Sequence, residues 1–337
     1  EWMPFLGRTI MRILITDTMY CTEAGRQAAE KIADCLGDVV LNPLSRKLTS
    51  GEIRELWDDT DVIIAGTENY DARLLAHAPK SLKLIARNGV SYENIDLNAA
   101  RNRKIAVTTV RGANSKAVAD GTMALMLAVA RHLPTADRSV RSGGWNGWVA
   151  DDVNHKTLGI LGFGAIGKEV AKRARGFDMT VLAYSPPEDF DRVFAEQYAV
   201  RDTCMEDILR ESDFVTLHMP VLPETRGIIN RKTLNMMKPS AYLINTSRGA
   251  LVQEEDLCEA LKSGTIRGAA LDVFEMEPTG NRALFELENT VLSPHCAGLS
   301  AGAIEEMGRI NTENILAVSK GETCGGIILG PFRTGWK

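Results

Sequence analysis

A glycine-rich turn is the plainest chemical feature of the sequence. The segment TLGILGFGAIGKEVAKRARGF places Gly162, Gly164 and Gly167 in the spacing G-x-G-x-x-G, directly after a strand-like run and at the start of a helical pattern. The first glycine permits a tight turn, the second lets the backbone approach a pyrophosphate, and the third lets helix and strand pack closely. The free N–H groups of a helix N-terminus bind anions. The pattern predicts a dinucleotide site, with a plain βα turn as the alternative.

Two further side chains that could take part in binding or catalysis directly follow runs typical of buried strands. Arg248 follows AYLINTS and His295 follows TVLSP, and open α/β sheets bind ligands at the carboxyl ends of their strands. A guanidinium offers fixed parallel donors to a planar carboxylate, whereas an imidazole exchanges a proton near neutral pH. We therefore interpret Arg248 as a group that binds a carboxylate and His295 as an acid–base group, with a surface salt bridge as the alternative for Arg248.

The apolar pattern supplies two scaffolds for these residues. In the first block the runs MRILITD, VVLN, VIIAGT, LKLIARNG and IAVTTV alternate with helical patterns near residues 23–36 and 52–57. In the second block TLGILGFG, MTVLAYS, FVTLHM, AYLINTS, GAALDVF and TVLSPH follow one another, with a helix near residues 166–175. Two alternating blocks predict two α/β domains with parallel sheets.

Two long helical patterns set the domain boundaries. The segment 115–131 is apolar on nearly every face, which predicts a helix that is buried all round between domains or subunits. The segment 301–319 follows the second block without a strand of its own, so we expect it to return to the first domain. We place the first domain at residues 11–109 and 297–325, and the central domain at residues 110–296.

Composition excludes several classes of partner. The chain has 337 residues with 44 acidic and 39 basic side chains, a formal net charge of -5, and no basic block, so nucleic acid and membrane surfaces are not expected partners. Its six cysteines form no CxxC pair, and we predict reduced thiols, no metal site and a cytoplasmic location. No apolar run approaches the roughly 20 residues of a membrane span, and no export signal opens the chain. Residues 1–10 and 330–337 are interpreted as expression remnants.

Five motifs in order carry a family resemblance: GFGAIG, LHMPVLPETRGIIN, LINTSRGALVQEEDL, AALDVFEMEP and SPHCAG. From about Met11 to Ser319 the chain resembles the D-isomer-specific 2-hydroxyacid dehydrogenase family, particularly its phosphoglycerate-dehydrogenase-like branch. The resemblance implies two doubly wound parallel-sheet domains, a central Rossmann cofactor domain and a discontinuous flavodoxin-like substrate domain. It also implies a homodimer and hydride transfer between a nicotinamide cofactor and a small 2-keto acid or D-2-hydroxy acid.

The resemblance assigns roles to individual residues. Arg248 would bind the substrate, His295 would exchange a proton with its carbonyl oxygen, and Glu277 would partner the histidine. Glu275 is the rival carboxylate. Asp272 would contact the nicotinamide carboxamide, with a structural cap as the alternative. The other residues assigned to the cofactor site are Gly162, Gly164, Ala165, Ile166, Gly167, Ser185, His218, Met219, Pro220, Thr225 and Thr246.

The substrate loop of the family matches ARNGVSYENID in the first block. Its backbone N–H groups would bind the substrate carboxylate at Asn88, Gly89, Val90 and Ser91. Ser91 replaces the usual glycine, so we expect a narrower pocket or a restricted backbone there.

The identity of the substrate is left open by the sequence. Ala65 and Gly66 stand where phosphoglycerate enzymes often carry Arg-Ser, which argues against a phosphate contact. Arg46, Lys47 and Arg111 are alternative contacts for a second anion.

Cofactor choice and two other functions are also open. The strand after the glycine turn ends at Ser185, where an acid usually accepts the ribose 2′-hydroxyl of NAD. We expect a modest preference for NAD, with NADP also compatible because Arg192 could reach a 2′-phosphate. A nucleotide-sensing corepressor-like protein is the main alternative function. A formate dehydrogenase is disfavoured because that branch pairs its histidine with glutamine, and Glu277 stands here.

Overall fold

The structure, a computed structural model, describes residues 10–332 and contains two compact units. One unit combines the residues up to Asn114 with those from Leu299 onward, and the other runs from Ser115 to Gly298. The sequence placed the two boundaries slightly earlier, after residues 109 and 296. Of the predicted expression remnants, residues 1–9 and 333–337 lie outside the described residues.

Strands and helices alternate from Met11 to Leu329. The strands are β1 (Met11–Ile15), β2 (Gly37–Leu41), β3 (Val62–Ala65), β4 (Leu84–Arg87), β5 (Ala106–Thr109), β6 (Thr157–Leu161), β7 (Thr180–Tyr184), β8 (Val200–Asp202), β9 (Phe214–Leu217), β10 (Tyr242–Asn245), β11 (Gly268–Leu271), β12 (Thr290–Leu292) and β13 (Ile327–Leu329). The helices are α1 (Glu23–Leu36), α2 (Ser50–Leu56), α3 (Ala72–Ala76), α4 (Leu97–Asn102), α5 (Ser115–Ala130), α6 (Leu133–Arg141), α7 (Ala165–Ala174), α8 (Arg192–Gln197), α9 (Met205–Glu211), α10 (Arg231–Leu234), α11 (Glu254–Ser263), α12 (Arg282–Phe285) and α13 (Ala301–Ser319). The helices predicted near residues 23–36, 52–57, 166–175 and 301–319 all form within two residues of the expected bounds.

The first unit contains a six-stranded sheet in the order β2-β1-β3-β4-β5-β13. Strands β1 to β5 are parallel and have the flavodoxin-like order that the resemblance implied. The sequence missed β13, a short edge strand antiparallel to β5. Helix α13 belongs to this unit and packs against α1. It begins after Ser300, whose hydroxyl accepts a hydrogen bond from the Ala303 N–H group.

The second unit contains a parallel seven-stranded sheet in the order β8-β7-β6-β9-β10-β11-β12. This is the doubly wound strand order of a Rossmann domain. Successive strands of the chain are added outward on one side of β6 and then, from β9 onward, on its other side. Both faces of the sheet are covered: Ile160 and Leu161, neighbours on β6, lie in different apolar clusters. The predicted all-round burial of α5 is wrong for one face, because Lys116, Asp120 and Ala124, spaced four residues apart, are exposed, whereas the rest of the helix is buried or half-buried.

Between residues 10 and 332, no helix combines the length and apolar character needed to cross a membrane. No three side chains of His, Cys, Asp or Glu in this range come together in a way that could hold a metal ion.

Candidate active site

The glycine turn follows β6, next to the point at which the strand order of the second sheet reverses. Gly162 directly follows β6 and has a φ of +102°, and a Cβ placed on it would lie 2.5 Å from the His218 carbonyl carbon. A Cβ on Gly167 would lie 2.2 Å from the Gly162 carbonyl oxygen. Gly164 differs, because a Cβ there meets nothing within 4 Å. The first and third glycines are therefore required by close packing, whereas the second leaves open space above the turn.

The start of α7 fits the pyrophosphate of a dinucleotide. Gly164 precedes the helix and no side chain caps it, so the N–H groups of Ala165 and Ile166 lack partners within the helix. The Phe163 N–H group instead donates to the Ser185 hydroxyl at 2.6 Å. Ser185 thus lies at the end of β7 beside the turn, as the spacing predicted.

His218 lies on the other side of this turn, after β9. Its Nε2 lies 2.9 Å from the Thr216 hydroxyl oxygen, and its Nδ1 is buried without a protein partner among the described residues. Burial lowers the pKa of His218 to about 3, so the ring is neutral at physiological pH. A neutral ring is poorly suited to protonate a substrate. The place in the wall of the nucleotide pocket that the resemblance implied for His218 stays a prediction.

The segment after His218 forms a tight turn. Met219 is buried, whereas Pro220 is exposed. The Thr225 hydroxyl donates to the Pro220 carbonyl at 2.7 Å and accepts from the Leu222 N–H group at 2.7 Å. Thr225 therefore closes the turn that carries the predicted cofactor contacts.

Arg248 is positioned by the residues that precede it. The Asn245 side chain accepts from the Ser247 N–H group at 3.0 Å and donates to the Arg248 carbonyl at 2.9 Å, so it closes the turn after β10. The Ser247 hydroxyl donates to the Met219 carbonyl at 2.7 Å. The Thr246 hydroxyl lies 2.8 Å from that of Thr122. Each residue of this segment thus ties the turn to a neighbouring element.

The Arg248 side chain itself is exposed. Its Nη1 donates to the Ser247 carbonyl at 2.7 Å, and no described carboxylate pairs with it. A Cβ on the next residue, Gly249, would lie 1.9 Å from the Phe274 carbonyl carbon. The Arg248 segment therefore packs backbone against backbone on the segment that leads to Glu277, and the guanidinium is available for an anion.

His295 and Glu277 form a hydrogen-bonded pair. The His295 Nδ1 lies 2.7 Å from Glu277 Oε2, and the other carboxylate oxygen accepts from the Phe274 N–H group at 3.1 Å. About half of the His295 side chain is exposed, with a relative area of 52%. Because Nδ1 is held by the carboxylate, Nε2 is the nitrogen that can exchange a proton with a ligand. Glu275 makes its backbone contact elsewhere and has no part in this pair.

Asp272 braces the loop that carries His295. It is 1% exposed, and its carboxylate accepts from the Ser293 hydroxyl at 2.6 Å and from the N–H groups of Cys296 and Ala297, both at 2.9 Å. His295 has a φ of +52°, a conformation that is uncommon for a residue other than glycine. These bonds hold the loop in that conformation, which favours the structural alternative for Asp272 and leaves capacity for one further donor.

Glu254 was not recognised in the sequence. It is 9% exposed at the start of α11. One of its oxygens accepts from the Glu275 N–H group at 2.7 Å, and the other accepts from the Asn281 side chain at 2.8 Å. It therefore braces the segment on both sides of Glu277. A carboxylate in the first turn of a helix usually reads as a dipole interaction, so its type and position gave no signal.

The predicted substrate loop lies in the first unit, and only some of its backbone N–H groups are available to bind a ligand. The N–H groups of Asn88 and Gly89 donate to the carbonyls of Ala65 and Arg87, both at 2.9 Å. Those of Val90 and Ser91 have no acceptor among the described residues. Of the four N–H groups predicted to bind the substrate carboxylate, only those of Val90 and Ser91 therefore remain candidates. Ser91 does not have a positive φ, so its backbone is in a region open to any residue, and the expected narrower pocket or restricted backbone stays a prediction.

The basic side chains predicted to contact a second anion differ in whether they already have a carboxylate partner. Arg46 is exposed and pairs with Glu52 at 2.5 Å, so its charge is already matched. Lys47 and Arg111 are exposed. Arg192 pairs with Asp202 at 3.4 Å and lies over the Phe190 ring, 6.0 Å from its centroid. Nothing in these contacts favours a 2′-phosphate at Arg192.

The comparisons with known proteins agree with this geometry. Residues 123–297 match the model of the D-isomer specific 2-hydroxyacid dehydrogenase NAD binding domain. A glyoxylate reductase of Thermococcus litoralis is 46% identical over 285 residues, which cover 81% of this chain and 84% of that protein. A D-3-phosphoglycerate dehydrogenase of Methanocaldococcus jannaschii is 36% identical over 96% of this chain and 60% of its own length. The crystal structure of the TT0316 protein from Thermus thermophilus has a TM-score of 0.81 at 35% identity, and the match covers 95% of this chain and all of that chain.

The fold, the glycine turn and the extent of these matches lead to one conclusion. The protein is an NAD(P)-dependent oxidoreductase that transfers hydride between its cofactor and a 2-keto or 2-hydroxy acid. The chain belongs to the D-isomer specific 2-hydroxyacid dehydrogenase family.

Proposed function

We propose that the protein reduces a small, unphosphorylated 2-keto acid of the glyoxylate class, with NADH as the preferred hydride donor. One observation carries the proposal: three neighbouring strands, β10, β11 and β12, are followed by an arginine with no carboxylate partner among residues 10–332, a glutamate and the histidine hydrogen-bonded to it. The glyoxylate reductase relatives support the substrate class. Ala65 and Gly66 support an unphosphorylated substrate, because neither offers a charged side chain to a phosphate.

The residues divide the chemistry among them. Arg248 binds the substrate carboxylate through its parallel donors and polarises the adjacent carbonyl. With its pyrophosphate held at the start of α7, after Gly164, a nicotinamide cofactor would supply the hydride for C2 of the substrate. His295 donates the Nε2 proton to the carbonyl oxygen, so that the ketone gains a hydride and a proton and becomes an alcohol. Glu277 holds Nδ1–H and stabilises the imidazolium before transfer.

The experiment is a substrate screen combined with a conservative variant. Purified protein is assayed with NADH and NADPH against glyoxylate, hydroxypyruvate, pyruvate and phosphohydroxypyruvate. We expect glyoxylate or hydroxypyruvate to be reduced best. Arg248→Lys should lower kcat/KM by about 10- to 100-fold, because lysine cannot form the paired bonds of a guanidinium.

Arg201→Lys is the matched control, since Arg201 is an exposed arginine of the same unit, paired with Glu211 at the far edge of the sheet. It should leave kcat/KM unchanged. Preference for phosphohydroxypyruvate, or an unchanged Arg248→Lys enzyme, would contradict the proposal.

The alternative of a nucleotide-sensing interaction protein is not favoured. The relatives that align over most of this chain are named as reductases and dehydrogenases. The pairing of His295 with a carboxylate rather than an amide likewise supports acid–base chemistry over the formate dehydrogenase pattern.

We also propose that the protein works as a homodimer in the cytoplasm. Helix α6 has no buried residue, and the segment after it exposes Trp145, Trp148 and Val149, with relative areas of 88%, 44% and 95%. An apolar surface of this kind is typical of a subunit interface. The six cysteines all lie in the described part of the chain and none of them forms a disulfide bond, which suits a reducing compartment. Light scattering of the purified protein tests the dimer.

A further inference from the structure

Arg87 is a buried charged residue that the proposed chemistry does not use. It ends β4 in the first unit, directly before the substrate loop, and is 7% exposed. Its Nη1 donates to the Asn88 carbonyl at 2.5 Å, and its Nε is buried without a partner among the described residues. A buried guanidinium is costly unless something specific holds it there.

The guanidinium lies against the loop backbone. A Cβ placed on Gly89 would lie 2.5 Å from Arg87 Nη1 and 2.9 Å from its Cζ. The Gly89 N–H group donates to the Arg87 carbonyl at 2.9 Å. The peptide group between Asn88 and Gly89 is thus held at both ends by one residue: its carbonyl by the Arg87 side chain and its N–H by the Arg87 backbone.

The surroundings fix this arrangement further. The Asn88 amide donates to Asp17 Oδ2 at 2.8 Å, and its oxygen accepts from Asn311 at 2.9 Å. The Gly89 carbonyl accepts from the Val110 N–H group at 3.1 Å. Residues 87–89 are therefore a rigid base, whereas the next two N–H groups have no protein acceptor among the described residues.

The charges around the guanidinium favour its ionised form. Burial lowers the pKa of Arg87, and the nearby carboxylates of Asp17, Glu68 and Glu93 oppose that shift. Glu68 accepts from the Thr16 hydroxyl at 3.0 Å. The positive charge of Arg87 thus balances part of the negative charge of these carboxylates, which would otherwise oppose the binding of an anion at the loop.

We propose that Arg87 is the positioning residue of the carboxylate-binding loop: it orients the Asn88–Gly89 peptide so that the N–H groups of Val90 and Ser91 point at the substrate carboxylate. This rests on the proposed function, since it assigns that loop to the carboxylate of a 2-keto acid. Arg87 acts on substrate binding through the backbone and has no part in proton transfer or nucleotide binding.

The test separates KM from kcat. Arg87→Lys keeps the charge but not the shape that lies on Gly89. It should raise the KM for glyoxylate about tenfold, the equivalent of one misplaced hydrogen bond to a charged group. The kcat at saturation and the Kd of NADH, measured by fluorescence titration, should not change. Arg87→Gln should raise KM further because it also removes the charge.

Arg103→Lys is the matched control. Arg103 also donates to a backbone carbonyl in the first unit, that of Ala78. Unlike Arg87, however, it lies before β5, where the strands of the sheet begin. It should leave KM unchanged. Gly89→Ala is the second route to the same effect, because its methyl group displaces the guanidinium. If Arg87→Lys fails to fold, Gly89→Ala decides.

The outcomes separate the two proposals. No turnover of any 2-keto acid by the unaltered protein contradicts the proposed function. In that case the affinity of oxalate for the NADH-bound protein, measured by calorimetry, still tests the loop, and Arg87→Lys should weaken it. Turnover with an unchanged KM and an unchanged oxalate affinity in the Arg87 and Gly89 variants overturns the positioning role. So does a fall in kcat and NADH affinity together.

Discussion

The two sheets differ in how much of their carboxyl edge is open, although the second edge also has buried groups such as Asp272 and His218. In the second unit, Gly164 borders open space and the Arg248 guanidinium has no carboxylate partner among the described residues. In the first unit, the corresponding edge is filled by buried side chains that bond to one another, including Asp17, Glu68 and Asn88. Both edges follow the same strand-end rule. A strand end therefore predicts where polar groups gather but not whether they are free to bind a ligand.

The electrostatics of the two edges differ in the same way. Burial raises the pKa of Asp17 and of Glu68 and lowers that of Arg87. In the second unit, by contrast, the His295 and Glu277 side chains are partly exposed, and their contact is a single hydrogen bond. We infer that the first edge gives the loop its shape, whereas the second edge performs chemistry.

The largest expected effect tests that division at His295. His295→Ala should lower kcat by about 10²- to 10⁴-fold, the usual contribution of a positioned acid–base group, without changing NADH affinity. Glu277→Gln should also lower kcat for glyoxylate reduction, because an amide stabilises the imidazolium less than a carboxylate does. Steady-state kinetics with glyoxylate and a fluorescence titration with NADH measure both effects.

The double variant of His295 and Glu277 tests whether the two side chains act together. Groups that act as one unit are not additive, so the double variant should be little slower than His295→Ala alone. An unchanged kcat in Glu277→Gln, or losses that multiply in the double variant, would mean that the 2.7 Å contact has no role in proton transfer.

A second pair of variants compares the edges directly. Gly164→Ala adds a methyl group where nothing lies within 4 Å, so Tm should not change, but NADH affinity should fall about tenfold as the methyl group occupies the pyrophosphate space. Gly66→Ala places its methyl group 2.9 Å from the Asp17 Cα. Overpacking of this kind costs about 1–3 kcal/mol and should lower Tm by several degrees.

Thermal unfolding and NADH titration of both glycine variants give a crossed pattern if the edges differ as described. NADH affinity should be unchanged in Gly66→Ala. The comparison fails if both glycines affect Tm alike, since the Gly164 space would then be part of the packed core.

Much of the fold followed from periodicity and turn residues. The helix over 301–319 has clear caps and period, and the glycine turn sits between a strand and a helix, so both were placed from the sequence. Strand β13 was missed because three apolar residues after a glycine pair carry no periodic signal. It is defined only by pairing with β5, a contact between distant parts of the chain.

The site was less predictable than the fold. Motif spacing identified Arg248, Glu277 and His295, because their types suit the chemistry. It could not show that the N–H groups of Asn88 and Gly89 are consumed internally, since backbone donors look the same in every sequence. Arg87 and Glu254 were missed for a related reason: a charged residue reads as solvated until its burial is known.

The smallest expected effect concerns cofactor choice at Ser185. Its hydroxyl accepts from the Phe163 N–H group at 2.6 Å, and the residue is 8% exposed at the end of β7. A neutral hydroxyl neither attracts nor repels a 2′-phosphate strongly, so the protein should discriminate weakly between NADH and NADPH. Ser185→Asp keeps an acceptor for the Phe163 N–H group and adds a charge that binds the ribose 2′-hydroxyl and repels a 2′-phosphate.

The measured quantity is the ratio of kcat/KM for NADH to that for NADPH, at saturating glyoxylate. Ser185→Asp should raise this ratio about tenfold, mostly by loss of NADPH activity, because like charges in close contact cost on the order of 1 kcal/mol or more near a protein surface. Ser185→Asn, which has no charge, is the control and should leave the ratio near its original value. Strong native selectivity for either nucleotide, or an equal shift in both variants, would show that residues other than Ser185 read the ribose. The open edge of the second sheet would then recognise its cofactor through contacts that the glycine turn and β7 do not supply.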